Sequence, residues 1–184
     1  MGYRHNVDDV LDAAVAVAGY DGLGELTFRA ISRRLGIADR TVVHYFQTKT
    51  TLLEAVLHRA TDRLVAVLDP SVGDQPRPGP QLLAASWAAL LQPEAAPWLR
   101  LYAETMGLAA RGTEPYATIA ADLARSWTSW FAARLVQVAS EDPADVEDRA
   151  AALLASLEGL LLLHITSGSE LAGRAAQGLG APPD

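Results

Sequence analysis

The chain has 184 residues, half of them hydrophobic, no cysteine and a formal net charge of −7. That length suits one or two compact units with a sizeable core, and the missing cysteine excludes disulfides, thiolate metal sites and thiol catalysis. The N-terminus lacks the apolar core of a signal peptide, and the most apolar run, residues 150–165, is interrupted by Glu158 and His164 and falls short of the roughly 20 residues a membrane span needs. The expectation is therefore a cytoplasmic protein with no membrane partner.

Taken in order, the chain first offers Asn6 as the N-cap of a helix in which Val7, Val10, Leu11, Ala14, Val15 and Ala18 keep helical spacing. Asp8, Asp9 and Asp12 crowd its positive end, where they favour the dipole better than they would build a metal site, and Gly19 to Gly24 ends it. The stretch Thr27 to Lys49 follows. Thr27 can cap a helix over Phe28 to Leu35, with Ile31 and Leu35 on one face. Gly36 can take the left-handed conformation that stops it, and Asp39 to Phe46 forms a second helix with Val42 and Phe46 at i, i+4. Two short helices around a glycine turn are the pattern of a helix-turn-helix, whose second helix enters the major groove. From Arg29 to Lys49 the chain carries Arg29, Arg33, Arg34, Arg40 and Lys49 against Asp39 alone, net +4 in an acidic protein. Phosphate neutralisation accounts for that asymmetry, although helix pairs broken by glycine and solvated arginine clusters also occur in proteins that bind no DNA.

The order Thr27, Ile31, Leu35-Gly36-Ile37, Thr41-Val42, Tyr45-Phe46, Lys49, Leu52-Leu53 resembles the N-terminal domain of the tetracycline-repressor (TetR) family of bacterial regulators. The resemblance is specific over about residues 7 to 57 and architectural beyond. It implies a DNA-binding set of Thr27, Arg29, Arg40, Thr41, Val43, His44, Tyr45, Thr48 and Lys49. Arg29 and Arg40 suit bases, because a guanidinium pairs bidentately with guanine, and Tyr45, Thr48 and Lys49 match positions that grip phosphate in the family. Two departures stand out. The family commonly has a phosphate-contacting tyrosine where this chain has Val43, and an aromatic near the end of the first helix where it has Ala18, a gap for Tyr20 to fill.

Thr48 can cap a long helix to about Leu68, whose free N–H groups form a phosphate site beside the recognition helix. Residues 69–80, with four prolines and two glycines, read as a loop. Helical patterns then cover Gln81 to Gln92, Glu94 to Ala110, Glu114 to Ala139 and Pro143 to Ser167, before a tail that frays after a short helix. With no alternating run, the fold is all-α: a three-helix N-terminal domain and a C-terminal bundle, about nine helices in all. The division expected is residues 1–49 for DNA and 50–184 for effector binding and dimerisation.

The last two long helices carry wide apolar stripes, the first including Leu123, Trp130 and Val138, the second Leu153, Leu157 and Leu161. Burial on two sides follows, one against the subunit and one against a second copy, as the resemblance implies; a helix central to a monomeric bundle is the alternative. Trp87, Trp98, Tyr102, Met106, Trp127 and Trp130 are candidate walls of an effector pocket, with Glu104, Ser126, Glu158 and His164 as polar liners, although aromatics at helical spacing also serve as plain core. There is no phosphate loop, no H-E-x-x-H and no G-x-S-x-G, and His5, His44, His58 and His164 do not share ligand spacing, so neither catalysis nor a metal or other cofactor is expected. The reading is a dimeric regulator, a repressor by resemblance, that binds a palindromic duplex and responds to a largely apolar small molecule. A carrier or enzyme with a vestigial helix-turn-helix, and a DNA-binding dimer without effector, remain the alternatives.

Overall fold

The computed structural model describes residues 6–136 and 142–180. His5, Val138 and Ala139 lie outside the described residues. Within them the chain forms nine α-helices and a short 3₁₀ turn: α1 (Val7–Asp21), the turn (Leu23–Glu25), α2 (Phe28–Leu35), α3 (Asp39–Tyr45), α4 (Lys49–Val72), α5 (Gly79–Leu90), α6 (Ala96–Ala109), α7 (Tyr116–Ala132), α8 (Pro143–Ser167) and α9 (Ser169–Gly178). The all-α expectation holds.

Local signals set several of the helix starts. The Asn6 side chain accepts from Asp9 N–H while the Asp9 carboxylate accepts from Asn6 N–H, a reciprocal capping box. Thr27 caps α2 through Ala30 N–H, and Asp142 caps α8 through Ala144 N–H. Gly36 sits at φ 66°, ψ 32°, the left-handed stop that only glycine takes without strain.

Compactness divides the chain into two units, residues 1–65 with 97–117 and residues 66–96 with 118–184. In the first, α1 packs on α2 and α2 on α3. Val10, Ala14, Ile31, Val42, Leu52 and Val56 are wholly buried there, and each of the larger side chains contributes about 1.5–3 kcal/mol of transfer free energy. In the second, α5 and α9 pack on α8, and Phe131, Leu82, Leu135 and Leu160 form the centre of the core.

Element boundaries depart from the sequence reading around the proline-rich stretch and at the end of α7. Asp69 to Val72 belong to α4, with Pro70 inside the helix, and α5 begins at Gly79, so the proline-rich loop is shorter than expected. Helix α4 stops where Gly73, at φ 69°, donates to Asp69 C=O at 2.7 Å. Helix α7 ends at Ala132 and not near residue 139. Beyond it Arg77 N–H donates to Arg134 C=O, and Val136 N–H to Arg77 C=O, forming an isolated parallel bridge of Arg77 with Leu135. The Arg134 guanidinium holds that departure in place, bonded to Asp69 at 3.0 Å and stacked 3.9 Å over the Trp130 ring.

Candidate nucleic-acid interface

The helix-turn-helix faces are sorted by burial. On α3, Val42 is buried and Phe46 just after it is 6 % exposed, so these two anchor the helix to its own unit. Arg40, Val43 and His44 are exposed, and Thr41 and Tyr45 are half-buried. Arg40, Val43 and His44 follow i, i+3, i+4, so a single ridge of α3 faces solvent. Arg29, Arg33, Arg34 and Lys49 are exposed as well. The one acid of the segment is engaged within the motif: Asp39, itself exposed, accepts a hydrogen bond from Ser32, which is 2 % exposed, and so ties α3 to α2. That pair is a functional feature the sequence reading missed. The signal for it was a serine on the apolar side of α2, seven residues before the acid.

Exposed Thr27 acts as the cap of α2. Thr48 accepts from Thr51 N–H at 3.1 Å, and Thr51 Oγ1 accepts from Thr48 N–H at 3.2 Å, a second reciprocal cap that starts α4 at Lys49. Lys49 is the only lysine in the sequence. The first N–H groups of α4 have no intrahelical acceptor, so a cation and a positive dipole end coincide beside α3.

Helix α1 is fastened to α4 by charge. Arg59 bonds Asp8 at 2.6 Å and Asp12 at 3.1 Å, and Arg63 bonds Asp12 at 3.0 Å. The Asp8 bond raises the Arg59 pKa, opposed by partial burial and aided by the Asp12 charge. At such exposed positions each pair contributes about 0–1 kcal/mol, so the clip orients α1 more than it stabilises the fold.

The profile of the family described as bacterial regulatory proteins, tetR family, matches residues 10–56. This is a TetR-family N-terminal domain. The match runs from the buried Val10 of α1 through the helix-turn-helix to the buried Val56 of α4. No curated protein matches the chain by sequence. Among solved structures, a transcriptional regulator from Rhodococcus sp. Rha1 is similar with a TM-score of 0.71 and 24% identity, over 96% of this chain and 95% of that one. A TetR transcriptional regulator from Legionella pneumophila has a TM-score of 0.69 at 18% identity, over 97% of each chain. The multidrug binding protein EbrR, in complex with imidazole, has a TM-score of 0.70 at 21% identity, over 99% of this chain and 98% of that one. At these identities the likeness is one of fold, and the fold is that of TetR-family transcriptional regulators.

Outside the TetR-family domain, the residues expected to line a pocket fall in different places. Trp98, Tyr102, Glu104 and Met106 lie on α6, in the same compact unit as the helix-turn-helix. Trp87, Ser126, Trp127, Trp130, Glu158 and His164 lie in the other. There the structure brings Trp87 edge-on to His164 at 5.9 Å and Trp127 edge-on to Trp130 at 5.8 Å. Trp130 Nε1 and His164 Nδ1 are buried with no hydrogen-bond partner among the described residues. Ser126 is exposed and donates to Asp122 C=O on its own helix, and Glu158 is half-buried. A solvent-open cleft of about 240 Å³ in the same unit is walled by Leu83, Leu135, Leu153 and Leu179 with Arg149 and Ser156, and none of the ten expected pocket residues lines it. Among the described residues no three His, Asp or Glu gather where they could hold a metal ion.

The expected dimer residues are also redistributed. Leu123, Leu157 and Leu161 are 3 %, 5 % and 8 % exposed within a single chain, which means that their own subunit covers them. Leu153 and Trp130 are half-buried. The side of α8 left uncovered carries Ala151, Ala155, Gly159, Leu162 and Ile165, with Leu162 63 % exposed. By length and composition α8 is apolar enough to cross a membrane, and 28% of its most apolar window is buried in the structure. An apolar stripe of which one edge forms the subunit core and the other is uncovered explains both figures.

Tyr20 does not turn inward. It is 65 % exposed and meets the Trp98 ring edge-on at 6.4 Å; the aromatic ring packed against the end of α1 is Trp98 itself. Burial, and secondarily the Glu104 charge, push the Tyr116 hydroxyl up from its ordinary value. A phenol that holds its proton more tightly when folded gives stability that is complete below the unfolded pKa of about 10 and is lost as pH rises through the folded value. Tyr116→Phe should therefore flatten part of the alkaline fall in urea midpoint between pH 9 and 11, and identical midpoint-pH curves for the two proteins would remove Tyr116 as a cause.

Proposed function

We propose that the protein is a dimeric, ligand-responsive transcriptional regulator of the cytoplasm, acting as a repressor at a palindromic duplex and carrying out no catalysis. Residues 1–49 read DNA and residues 50–184 bind effector and dimerise. The observation that carries this reading is the α3 ridge: Arg40, Val43 and His44 exposed together, with the segment's only acid held back on Ser32. Phosphates are met by Tyr45, Thr48, Lys49 and the N–H groups opening α4, while Arg29 and Arg40 reach base edges and Thr41 and His44 flank them. Val43, in place of the family's tyrosine, offers a methyl contact to thymine.

Two copies are required because two recognition helices must sit one helical turn, roughly 34–36 Å, or a multiple of it, apart to meet successive major grooves. The uncovered strip of α8 supports a twofold partner, since small residues at 151, 155 and 159 let a second helix approach closely. The effector is largely apolar: Trp87, Trp127 and Trp130 supply rigid aromatic surface, and the unpartnered Trp130 Nε1 and His164 Nδ1 supply points for one polar end. The fold-mate EbrR is described as a multidrug binding protein and was solved with imidazole and with proflavin, which supports a cyclic, aromatic ligand here.

The experiment is a contrast of two variants on a duplex selected from a random-sequence pool. Arg40→Ala should lower affinity for the selected duplex by about 1–3 kcal/mol and relax preference at one position, whereas Lys49→Ala should weaken selected and random duplexes alike and reduce the salt slope by about one unit. No selection of any duplex by the unaltered protein would defeat the reading.

A further inference from the structure

We propose that Glu104 is a positioning residue for the DNA-reading helices, holding from α6 the connection between α1 and α2; the proposal rests on the DNA-binding reading above. Gly22, at φ 97°, starts the 3₁₀ turn with no side-chain cap of its own. The first N–H of such a turn has no acceptor within the turn. Leu23 N–H donates instead to Glu104 Oε2 at 3.0 Å, from a residue 81 positions further along the chain. A carboxylate on a backbone N–H is one of the stronger hydrogen bonds available to the chain.

A second contact acts one turn earlier on α1. A Cβ at Gly19 would lie 2.9 Å from Cζ3 of Trp98 and 3.6 Å from Cβ of Pro97, so the indole rests directly on the backbone of the last turn of α1. Trp98 and Glu104, six residues apart on α6, thus hold the last turn of α1 and the 3₁₀ turn that follows it. What they hold leads straight into the reading head: Leu23 and Leu26 are buried, Thr27 caps α2, and Ser32 ties α2 to Asp39 at the start of α3. A shift of the turn is therefore transmitted to α2 and to the exposed ridge of α3. Glu104 itself is exposed, so it contributes no core volume, and truncating it leaves no cavity.

The test uses the full chain and a duplex recovered from a random-sequence pool by the unaltered protein. Glu104→Ala should lower affinity for that duplex three- to tenfold at 0.15 M salt with an unchanged salt slope, because no phosphate contact is lost, and the Leu23 amide should exchange with solvent faster. Glu104→Gln keeps a carbonyl acceptor while removing the charge, and should recover most of the affinity. A melting temperature lowered by the alanine variant with affinity intact would mean a structural role only and overturn the proposal. So would an unchanged Leu23 exchange rate, or a loss shared equally by the glutamine variant, which would assign the effect to charge. Failure to recover any duplex would remove the DNA-binding reading and this proposal together, whereas a duplex bound equally by all three proteins would remove this proposal alone.

Discussion

Leu162→Arg is expected to turn a dimer into a folded monomer. The side chain is 63 % exposed in a single chain and shares its helix face with Ala151, Ala155 and Gly159, so the subunit loses little when it changes. A twofold contact would suffer twice, because the same patch meets itself across the axis. An unpaired charge buried in an interface costs about 3–5 kcal/mol, so even one copy of the substitution weakens association by roughly two to four orders of magnitude. Sedimentation at micromolar concentration should show the unaltered protein as a dimer and the variant as a monomer of unchanged helical content. Binding to a two-half-site duplex should fall to that of a half-site. Leu157→Arg is the contrasting control: at 5 % exposure within its own chain, it should damage folding before association. A variant that stays dimeric, or an unaltered protein that sediments as a monomer, would defeat the assignment of this face.

The second large effect is expected at Ile31→Ala. Ile31 is wholly buried, and α2, of eight residues, is too short to persist without tertiary packing. Large-to-small truncation at such a site costs about 2–5 kcal/mol, because the hole is only partly refilled, and should lower the melting temperature by roughly 5–15 °C. Ile31→Val should cost only about 0.5–1.5 kcal/mol. DNA binding measured well below the melting temperature should fall in the alanine variant, as α3 loses the surface on which it lies. A loss under 1 kcal/mol would show that the helix pair can collapse around the missing atoms.

What the sequence made legible was local. Asn6, Thr27, Thr48 and Gly36 act on backbone groups within a few residues, so their roles could be read from spacing, and the starts of α1, α2 and α4 followed. The features that escaped depend on distant partners. Pro70 reads as a breaker, yet α4 continues through it. Helix α7 stops early because Arg134 bonds Asp69, 65 residues away, a pairing no periodicity encodes. Glu104 looked like a pocket liner because it sits among aromatics on one helix, and only the fold brings it to Leu23. Helix α8 is apolar nearly all round, so its pattern predicted two covered sides without telling which leucines belong to the subunit. Leu157 and Leu161 went to the subunit core, and Leu162 to the uncovered face. In the reading head the apolar face of α3 was legible from Val42 and Phe46. The Ser32–Asp39 bond was not, because Ser32 is an ordinary helix residue until the glycine turn folds the two helices together.

Lys49 has a practical consequence. Because it is exposed and the chain has no other lysine, amine-directed chemistry has one side-chain target, and that target stands at the first residue of α4 beside the reading head. A fluorophore coupled there would report occupancy from within the contact surface, and protection of the amine from labelling would map the footprint of the duplex without mutating any residue. The same geometry makes lysine acylation, wherever the cell supplies it, a modification with a single address in the folded chain, removing a positive charge at the place where an approaching phosphate would meet it.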